Sequence, residues 1–244
     1  MKLMIIGGTS AIAFEAAKRF AAEGAEILIL DREPERMEAV KADLLVRGAK
    51  RVERITAETA EVANQQALLD KAIELFGGIE SVLIAYGTLS DQAACQRSVE
   101  TTLKELHVNA ISVIAWLTIL ANYFEQRRSG TIAVISSVAG DRGRGSNYVY
   151  GAAKATLTAF LSGLRSRMAK VGVSVLTVKP GMVDTPMTAH LRKSPLFASP
   201  QKVGGDIYRA MRRGQDVIYS PWYWRYIMLV IVLLPEGIFK RTRL

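Results

Sequence analysis

The feature that most constrains the fold is a regular alternation of short apolar segments with longer amphipathic segments, from the N-terminus to about residue 178. Continuous apolar strands separated by helices are typical of a parallel sheet covered on both faces. The alternation therefore predicts an α/β fold, a Rossmann-type doubly wound parallel sheet in a single three-layer α/β/α domain. Strands are predicted at 3–6, 27–30, 52–55, 81–85, 131–136 and 173–178, and helices at 11–23, 37–44, 63–76, 99–124 and 150–171.

Composition excludes several function classes. The 244 residues suit one α/β domain, and the formal net charge of +9 is spread along the chain without an aromatic-basic motif, so no nucleic-acid partner is expected. One cysteine, Cys95, and two isolated histidines, His107 and His190, offer no metal-ligand cluster, so no metal site is expected. The N-terminus lacks the long apolar region of a signal peptide, which predicts a cytoplasmic protein.

The first strand-to-helix turn has the composition of a phosphate-binding loop. In the segment GGTSAIA at 7–13, Gly7 and Gly8 allow close backbone approach to a pyrophosphate, and Thr9 or Ser10 caps the helix or contacts a phosphate. Alanine stands at positions 11 and 13, where glycine is usual. A tight turn without a ligand is the alternative interpretation.

The second predicted strand ends in an acidic residue, Asp31. A carboxylate at this point accepts hydrogen bonds from the adenine-ribose hydroxyls and repels a 2′-phosphate. This favours NAD(H). Because the adjacent Arg32 is able to pair with such a phosphate, NADP(H) remains the alternative.

Tyr150 and Lys154 are four residues apart on a predicted helix and therefore share one face. A nearby ammonium favours the phenolate and lowers the pKa of the phenol, so that Tyr150 exchanges a proton near neutral pH. Ser137 follows a buried strand and is placed to donate a hydrogen bond to a carbonyl oxygen as negative charge develops on it. The alternative for the pair alone is two surface residues of an amphipathic helix.

Five segments together resemble the short-chain dehydrogenase/reductase family over essentially the whole length. They are GGTSAIA at 7–13, HVNAIS at 107–112, ISSVAG at 135–140, YGAAK at 150–154 and PGMVDTP at 180–186. The resemblance implies a nicotinamide-dependent interconversion of a ketone and a secondary alcohol, with Ser137, Tyr150 and Lys154 as the catalytic triad. It also implies that Asn109 completes a tetrad by holding a water that relays protons to Lys154.

The same resemblance implies a set of nucleotide contacts. Lys154 would bind the nicotinamide ribose, while Thr185 and the backbone of Val183 would contact the carboxamide. The family's usual Asn-Asn-Ala-Gly is here Ile84-Ala85-Tyr86-Gly87, and its acidic adenine contact has only Glu58 as a candidate. The full predicted set is Gly7, Thr9, Ser10, Ala11, Ile12, Asp31, Arg32, Glu58, Ala85, Gly87, Tyr150, Lys154, Pro180, Gly181, Val183 and Thr185.

Two C-terminal regions depart from the alternation. Residues 186–205, rich in proline and serine, are predicted to be a mobile lid over the ligand crevice within a domain spanning 1–219. Residues 220–244 form an extension with Trp222, Tyr223 and Trp224, an apolar run at 226–234 and a basic cluster at Lys240, Arg241 and Arg243. The run rises about 14 Å as a helix, too little to cross a bilayer.

Three interpretations of the extension stay open: it lies in a membrane interface, it packs against another subunit, or it covers its own core. The family commonly forms dimers and tetramers, so a homodimer or homotetramer is expected. The pattern most resembles a bacterial branch that includes reductases of polyprenylphosphoryl-linked 2-keto-pentoses, which implies a lipid-linked carbonyl substrate at the cytoplasmic face of the inner membrane. A soluble reductase of acyl or small carbonyl compounds and a non-catalytic dinucleotide-binding module are the competing hypotheses.

Overall fold

The computed structural model describes residues 1–242, so that the last two residues of the predicted extension, Arg243 among them, lie outside the described residues. Within 1–242, seven strands form one parallel sheet in the order β3-β2-β1-β4-β5-β6-β7. The order reverses between β1 and β4, which creates a crevice at the carboxyl ends of these two strands. The strands are β1 Lys2–Ile6, β2 Glu26–Asp31, β3 Arg51–Thr56, β4 Ser81–Ile84, β5 Gly130–Ile135, β6 Val173–Pro180 and β7 Val217–Ser220.

Helices cover both faces of this sheet, which confirms the predicted three-layer Rossmann-type fold. Alternate strand residues explain why the strands are apolar throughout: Leu3 and Ile5 pack with one helical layer, and Met4 and Ile6 pack with the other. The helices are α1 Ala11–Ala22, α2 Pro34–Val46, α3 Gln65–Phe76, α4 Gln92–Arg97, α5 Val99–Leu106, α6 Ser112–Arg127, α7 Tyr148–Ala169, α8 Pro200–Arg212, α9 Trp224–Leu233 and α10 Glu236–Phe239.

The single helix predicted over 99–124 is interrupted by a π-helical turn, His107–Ile111, between α5 and α6. This turn carries Asn109, and such turns are frequent at functional sites. The stretch 99–127 is also long and apolar enough to cross a membrane by length and composition alone. Trp116, Leu117 and Phe124 from it lie in the core between α3, α7 and the sheet.

Residues 186–205 differ from the predicted lid. Only 186–199 are largely irregular, with one 3₁₀ turn at Pro186–Thr188, while residues 200–205 begin helix α8. The first glycine of the pair has a packing role there: a Cβ on Gly204 would lie 2.6 Å from Glu15 Cβ and 2.7 Å from Ala16 N on α1. Glycine at 204 therefore brings two helices together and is not a sign of a loop.

The start of the predicted extension also differs. Ser220 ends strand β7, so the sheet reaches into the segment that the sequence separates from the domain. The short strand was missed because it lies between charged and turn-forming residues and carries no long apolar run.

Candidate active site

A cavity of about 390 Å³ opens at the carboxyl ends of β1, β4, β5 and β6. All sixteen nucleotide-contact residues predicted above line it, and so do Ser137 and Asn109. The structure therefore brings the sequence-predicted site residues together in one crevice. The cavity is also lined by residues that the sequence interpretation missed, among them Arg36 on α2, Thr88, Arg144 and Asn147 in loops, and Trp224 at the start of α9.

Helix α7 and the end of β5 position the proposed triad. Lys154 Nζ lies 5.6 Å from the centroid of the Tyr150 ring and donates a hydrogen bond to Ile135 O at 3.1 Å. Ser137 caps the 3₁₀ turn Val138–Gly140, where its Oγ accepts a hydrogen bond from Ala139 N at 3.1 Å. The helix thus presents the phenol and the ammonium on one face, beside the serine.

Burial dominates the electrostatics of this group. It raises the pKa of Tyr150 to about 12, against the opposing effect of a hydrogen bond from Ser137. Burial also lowers the pKa of Lys154 to about 8. This direction is opposite to the sequence-based expectation that Lys154 brings the pKa of the phenol near neutrality, because burial favours the neutral phenol. With its pKa at about 12, Tyr150 holds its proton at neutral pH.

Asn109 is buried in the π turn with its side-chain amide fully engaged. Its Oδ1 accepts from Thr88 N at 3.0 Å, and its Nδ2 donates to Thr88 Oγ1 at 2.9 Å and to Glu105 O at 3.1 Å. The Glu105 carboxylate lies next to it and accepts from Thr88 Oγ1 at 2.7 Å and from Ser90 Oγ at 2.8 Å. Asn109 thereby holds the loop after β4; its role in retaining a relay water remains a prediction.

Gly87 lets the loop after β4 pass between Asn109 and Lys154. Its φ is +156°, and a Cβ there would lie 2.7 Å from Asn109 Oδ1 and 3.7 Å from Lys154 Nζ. Beside it, Tyr86 stands at the position where the family's segment has alanine. Its hydroxyl hydrogen-bonds Ser112 Oγ at 2.8 Å, so the phenol anchors this loop to the start of α6.

The residues at the other end of the cavity fit a dinucleotide. The N-terminus of α1 has no side-chain cap, so its first N–H groups remain free, and Ser10, Ala11 and Ile12 line the cavity at that point. Free N–H groups together with the helix dipole favour a pyrophosphate. Gly7, with φ +85°, lies so close to Tyr86 that a Cβ would meet Tyr86 N at 2.6 Å.

Asp31 is buried at the end of β2 and orders the phosphate-binding turn. Its Oδ2 accepts hydrogen bonds from Thr9 N at 2.9 Å and Thr9 Oγ1 at 2.8 Å. Two arginines lie nearby. Arg32 pairs with Glu58 at 3.4 Å, and Arg36 pairs with Glu33 at 2.9 Å.

The chain after β6 brings Pro180, Gly181, Val183 and Thr185 to the cavity. Val183 forms a single bridge with Ala198, and Thr185 caps the 3₁₀ turn that follows. These contacts fix the backbone of the segment for which the resemblance implies carboxamide binding.

Trp224 corrects one prediction for the aromatic segment. The sequence placed Trp222, Tyr223 and Trp224 together at headgroup depth in one interpretation, but Trp224 is only 3% exposed and lines the cavity. Its indole packs with Val138 and Met228, because α9 folds back over the loop after β5. Trp222 points outward and is exposed.

A doubly wound sheet with this crevice, in which Ser137, Tyr150 and Lys154 lie together, defines a nicotinamide-nucleotide-dependent oxidoreductase. Comparison with known proteins agrees, since the family model for short chain dehydrogenases matches residues 2–196. The chain belongs to the short-chain dehydrogenase/reductase family.

Relatives and solved structures extend this comparison. Uncharacterized oxidoreductases of Mycobacterium tuberculosis and Streptomyces coelicolor are 33% and 30% identical over 98% of this chain, covering 96% and 94% of their own lengths. Levodione reductase shares the fold with a TM-score of 0.80 at 22% identity, over 89% of this chain and 94% of its own. Actinorhodin polyketide ketoreductase, solved with NADPH, shares the fold with a TM-score of 0.81 at 21% identity, over 91% of this chain and 96% of its own.

Proposed function

We propose that the protein reduces a ketone to a secondary alcohol, and catalyses the reverse oxidation, with Tyr150 as general acid and base. The observation that carries the proposal is the position of Tyr150 beside Ser137 and Lys154 in the cavity. The nicotinamide nucleotide supplies the hydride when bound. Ser137 Oγ donates a hydrogen bond to the carbonyl oxygen, and Tyr150 Oη transfers its proton to that oxygen.

For the nucleotide, the proposal is NAD(H) over NADP(H). Asp31 places a buried carboxylate at the ribose end of the cavity, where a 2′-phosphate would meet like charge. Arg32 and Arg36 are each paired with an acidic neighbour, which reduces the positive charge available to such a phosphate. Both pairs are exposed and therefore weak, so the preference rests on Asp31.

For the substrate, the proposal is a polyprenyl-linked keto-sugar reached at a membrane surface. Helix α9 buries Trp224 and Met228, while its opposite face leaves apolar side chains in water, with Val230 62% and Leu233 71% exposed. Arg225, Lys240 and Arg241 lie exposed beside this face and suit anionic lipid headgroups. Because Trp224 lines the cavity, lipid contact at α9 would bring the active site to the headgroups.

The catalytic proposal is tested with Tyr150→Phe, in a screen of carbonyl substrates that includes polyprenylphosphoryl keto-sugars. Turnover is expected to fall by roughly 10²- to 10⁴-fold, the usual contribution of a positioned proton donor, while the nucleotide Kd is retained. Tyr148→Phe is the matched control, since Tyr148 is exposed at the start of the same helix. Unchanged turnover in Tyr150→Phe would remove the phenol from the mechanism, and a chain that binds nucleotide but reduces no carbonyl would be a binding module.

The membrane proposal is tested by flotation with vesicles that contain anionic phospholipid. Val230→Asp is expected to abolish vesicle binding, whereas Val46→Asp, at an exposed valine on α2, is expected to leave it intact. The same pair is analysed by gel filtration. If the wild type does not bind vesicles, and Val230→Asp breaks up a dimer or tetramer that the wild type forms, the α9 face contacts a second copy of the chain.

A further inference from the structure

Three buried polar atoms that line the cavity have no hydrogen-bond partner among the described residues: Trp224 Nε1, Arg144 Nε and Asn147 Oδ1. An unpaired buried polar group costs about 1–3 kcal/mol, so buried polar groups are normally paired by protein, water or ligand. Two donors and one acceptor without partners, in one cavity, indicate a ligand-binding surface. These three residues are called the Arg144 cluster below.

The indole of Trp224 is held in place by packing. The side chain is 3% exposed and lies against Val138 and Met228, and it also occupies the space beside Gly181, where any Cβ would overlap the ring. An indole N–H can only donate a hydrogen bond. Packing therefore fixes the N–H in the wall of the cavity beside Gly181, without a partner among the described residues.

Arg144 provides a positive charge without a carboxylate partner in the described chain. Its Nη2 contacts Met228 Sδ at 3.2 Å, and burial lowers the pKa of the guanidinium. The nearest acidic candidate, Asp141, is already occupied: it accepts from Lys179 Nζ at 2.6 Å and from Tyr219 Oη at 2.9 Å. A partly buried guanidinium in this state is best neutralised by an anion that binds in the cavity.

The Arg144 cluster lies at the substrate end of the cavity. Arg144 and Asn147 are on the loop that joins Ser137 to Tyr150, and Trp224 begins α9. The phosphate-binding turn and Asp31 belong to β1 and β2 on the other side of the crevice. The nucleotide phosphates are therefore accounted for elsewhere, and the cluster faces what the triad reduces.

Arg142 fixes the loop and α9 to each other. Its Nη1 donates to Ile231 O and to Leu234 O, both at 2.6 Å, at the C-terminal end of α9. Its guanidinium also stacks 3.7 Å from the Phe239 ring centroid on α10. The two elements that carry the Arg144 cluster thus form one unit.

We propose that the Arg144 cluster binds a phosphoryl group of the ketone substrate, with Arg144 and Trp224 as donors and Asn147 Oδ1 as the acceptor for a neighbouring substrate hydroxyl. The inference rests on the proposed function and names the chemistry of its substrate class. A phosphoryl group occurs both in a free sugar phosphate and in a lipid phosphodiester. The three residues are specificity-determining and lie outside the proton-transfer step.

The first test compares the reduction of dihydroxyacetone phosphate with that of dihydroxyacetone, which differ only in the phosphoryl group. The wild type is expected to prefer the phosphate, and Arg144→Met to lose roughly 10- to 100-fold in kcat/KM for the phosphate alone, as expected for a hydrogen bond to a charged group. Arg213→Met, at an exposed arginine, is the control. An equal loss on both ketones, or no loss, would overturn the proposal.

The second test measures binding without turnover, by calorimetric titration of the enzyme–nucleotide complex with glycerol 3-phosphate. Arg144→Met is expected to abolish binding, and Trp224→Phe, which keeps an aromatic ring but lacks the N–H, to weaken it. If glycerol 3-phosphate binds in an Arg144-dependent way but neither ketone is reduced, the proposed function is refuted while the phosphoryl-binding role of the Arg144 cluster is supported. If the enzyme reduces a ketone but binds glycerol 3-phosphate independently of Arg144, or does not bind it at all, the phosphoryl-binding role of the Arg144 cluster is refuted.

A farnesyl phosphodiester of glycerol distinguishes the two sources of the phosphoryl group. Tighter binding than that of glycerol 3-phosphate supports a lipid-linked substrate. Tighter binding of the monoester supports a free sugar phosphate. Arg144-independent binding of both probes contradicts the proposal.

Discussion

The indole of Trp224 occupies the space that a side chain at Gly181 would need. Gly181 lies in the segment after β6 that lines the cavity at the proposed nicotinamide end, and Trp224 begins the helix that lines the proposed substrate end. One contact therefore joins the two halves of the active site. It also gives the glycine of the PGMVDTP segment a packing role in addition to the nucleotide contact that the family resemblance implies.

Gly181→Ala is expected to displace Trp224 and reduce activity by at least tenfold, with a loss of about 1–3 kcal/mol in the free energy of unfolding, as is usual for overpacking. Gly163→Ala is the control, because a Cβ at Gly163 meets no neighbour within 4 Å. Activity assays and urea unfolding of both variants provide the measurement. Wild-type activity in Gly181→Ala would show that α9 shifts without affecting the site.

Much of this site follows from local sequence patterns, and the part that does not follow depends on distant residues. The four-residue spacing of Tyr150 and Lys154 places them on one face of α7, and the apolar strands define the crevice. The depth of burial cannot be read from that spacing, and burial reverses the expected pKa of Tyr150. Trp224 reaches the cavity only because α9 folds back, held by Arg142 some ninety residues earlier.

The same dependence on distant residues explains where the predicted fold differs from the observed one. Gly204 and Gly205 have the composition of a loop, and only the presence of α1 at contact distance makes glycine the right residue at position 204 in α8. Strand β7 is short and partly exposed, and it is stabilised by pairing with β6, so its own residues carry a weak pattern. Elements buried on both faces were predicted well because their apolar character is complete.

The pKa of Lys154 predicts a pH dependence. The kcat/KM for the reduced nucleotide reports groups in the free enzyme, and Lys154 with a pKa of about 8 loses its charge as the pH rises through that value. We expect kcat/KM to be flat below about pH 7 and to fall above pH 8. Tyr150, with a pKa of about 12, cannot produce this decline.

Lys154→Arg identifies the group responsible for this decline. A guanidinium keeps its charge throughout the accessible range, so the descending limb should move above pH 10 even if the absolute rate is lower. The measurement is initial-rate kinetics from pH 6.5 to 10.5. A limb that stays near pH 8 in Lys154→Arg would assign the titration to a different residue.

The position of Asp31 predicts the nucleotide preference. Wild-type kcat/KM is expected to favour NADH over NADPH by roughly tenfold or more, since like-charge juxtaposition at this site costs at least about 1.4 kcal/mol. Asp31→Asn keeps an acceptor for Thr9 but removes the charge. It should therefore narrow the ratio of kcat/KM between NADH and NADPH, chiefly by raising kcat/KM with NADPH. A wild-type preference for NADPH would mean that Arg32 and Arg36 exchange their carboxylate partners for the 2′-phosphate.

Arg142 predicts how the C-terminal helix is attached to the domain. Its side chain is 14% exposed, its hydrogen bonds reach three carbonyl groups at the end of α9, and the nearby Glu236 pairs with it at 2.8 Å. Arg142→Ala should lower the free energy of unfolding by roughly 1.5–3 kcal/mol, the range for a hydrogen bond to a charged group. Because α9 carries Trp224, ketone reduction should fall while nucleotide affinity is retained.

Arg47→Ala, which breaks the exposed pair with Asp43 on α2, is the control. It should change neither the free energy of unfolding nor the rate of ketone reduction measurably. If Arg142→Ala lowers nucleotide affinity as much as it lowers the rate of ketone reduction, α9 supports the whole crevice and not only its substrate end.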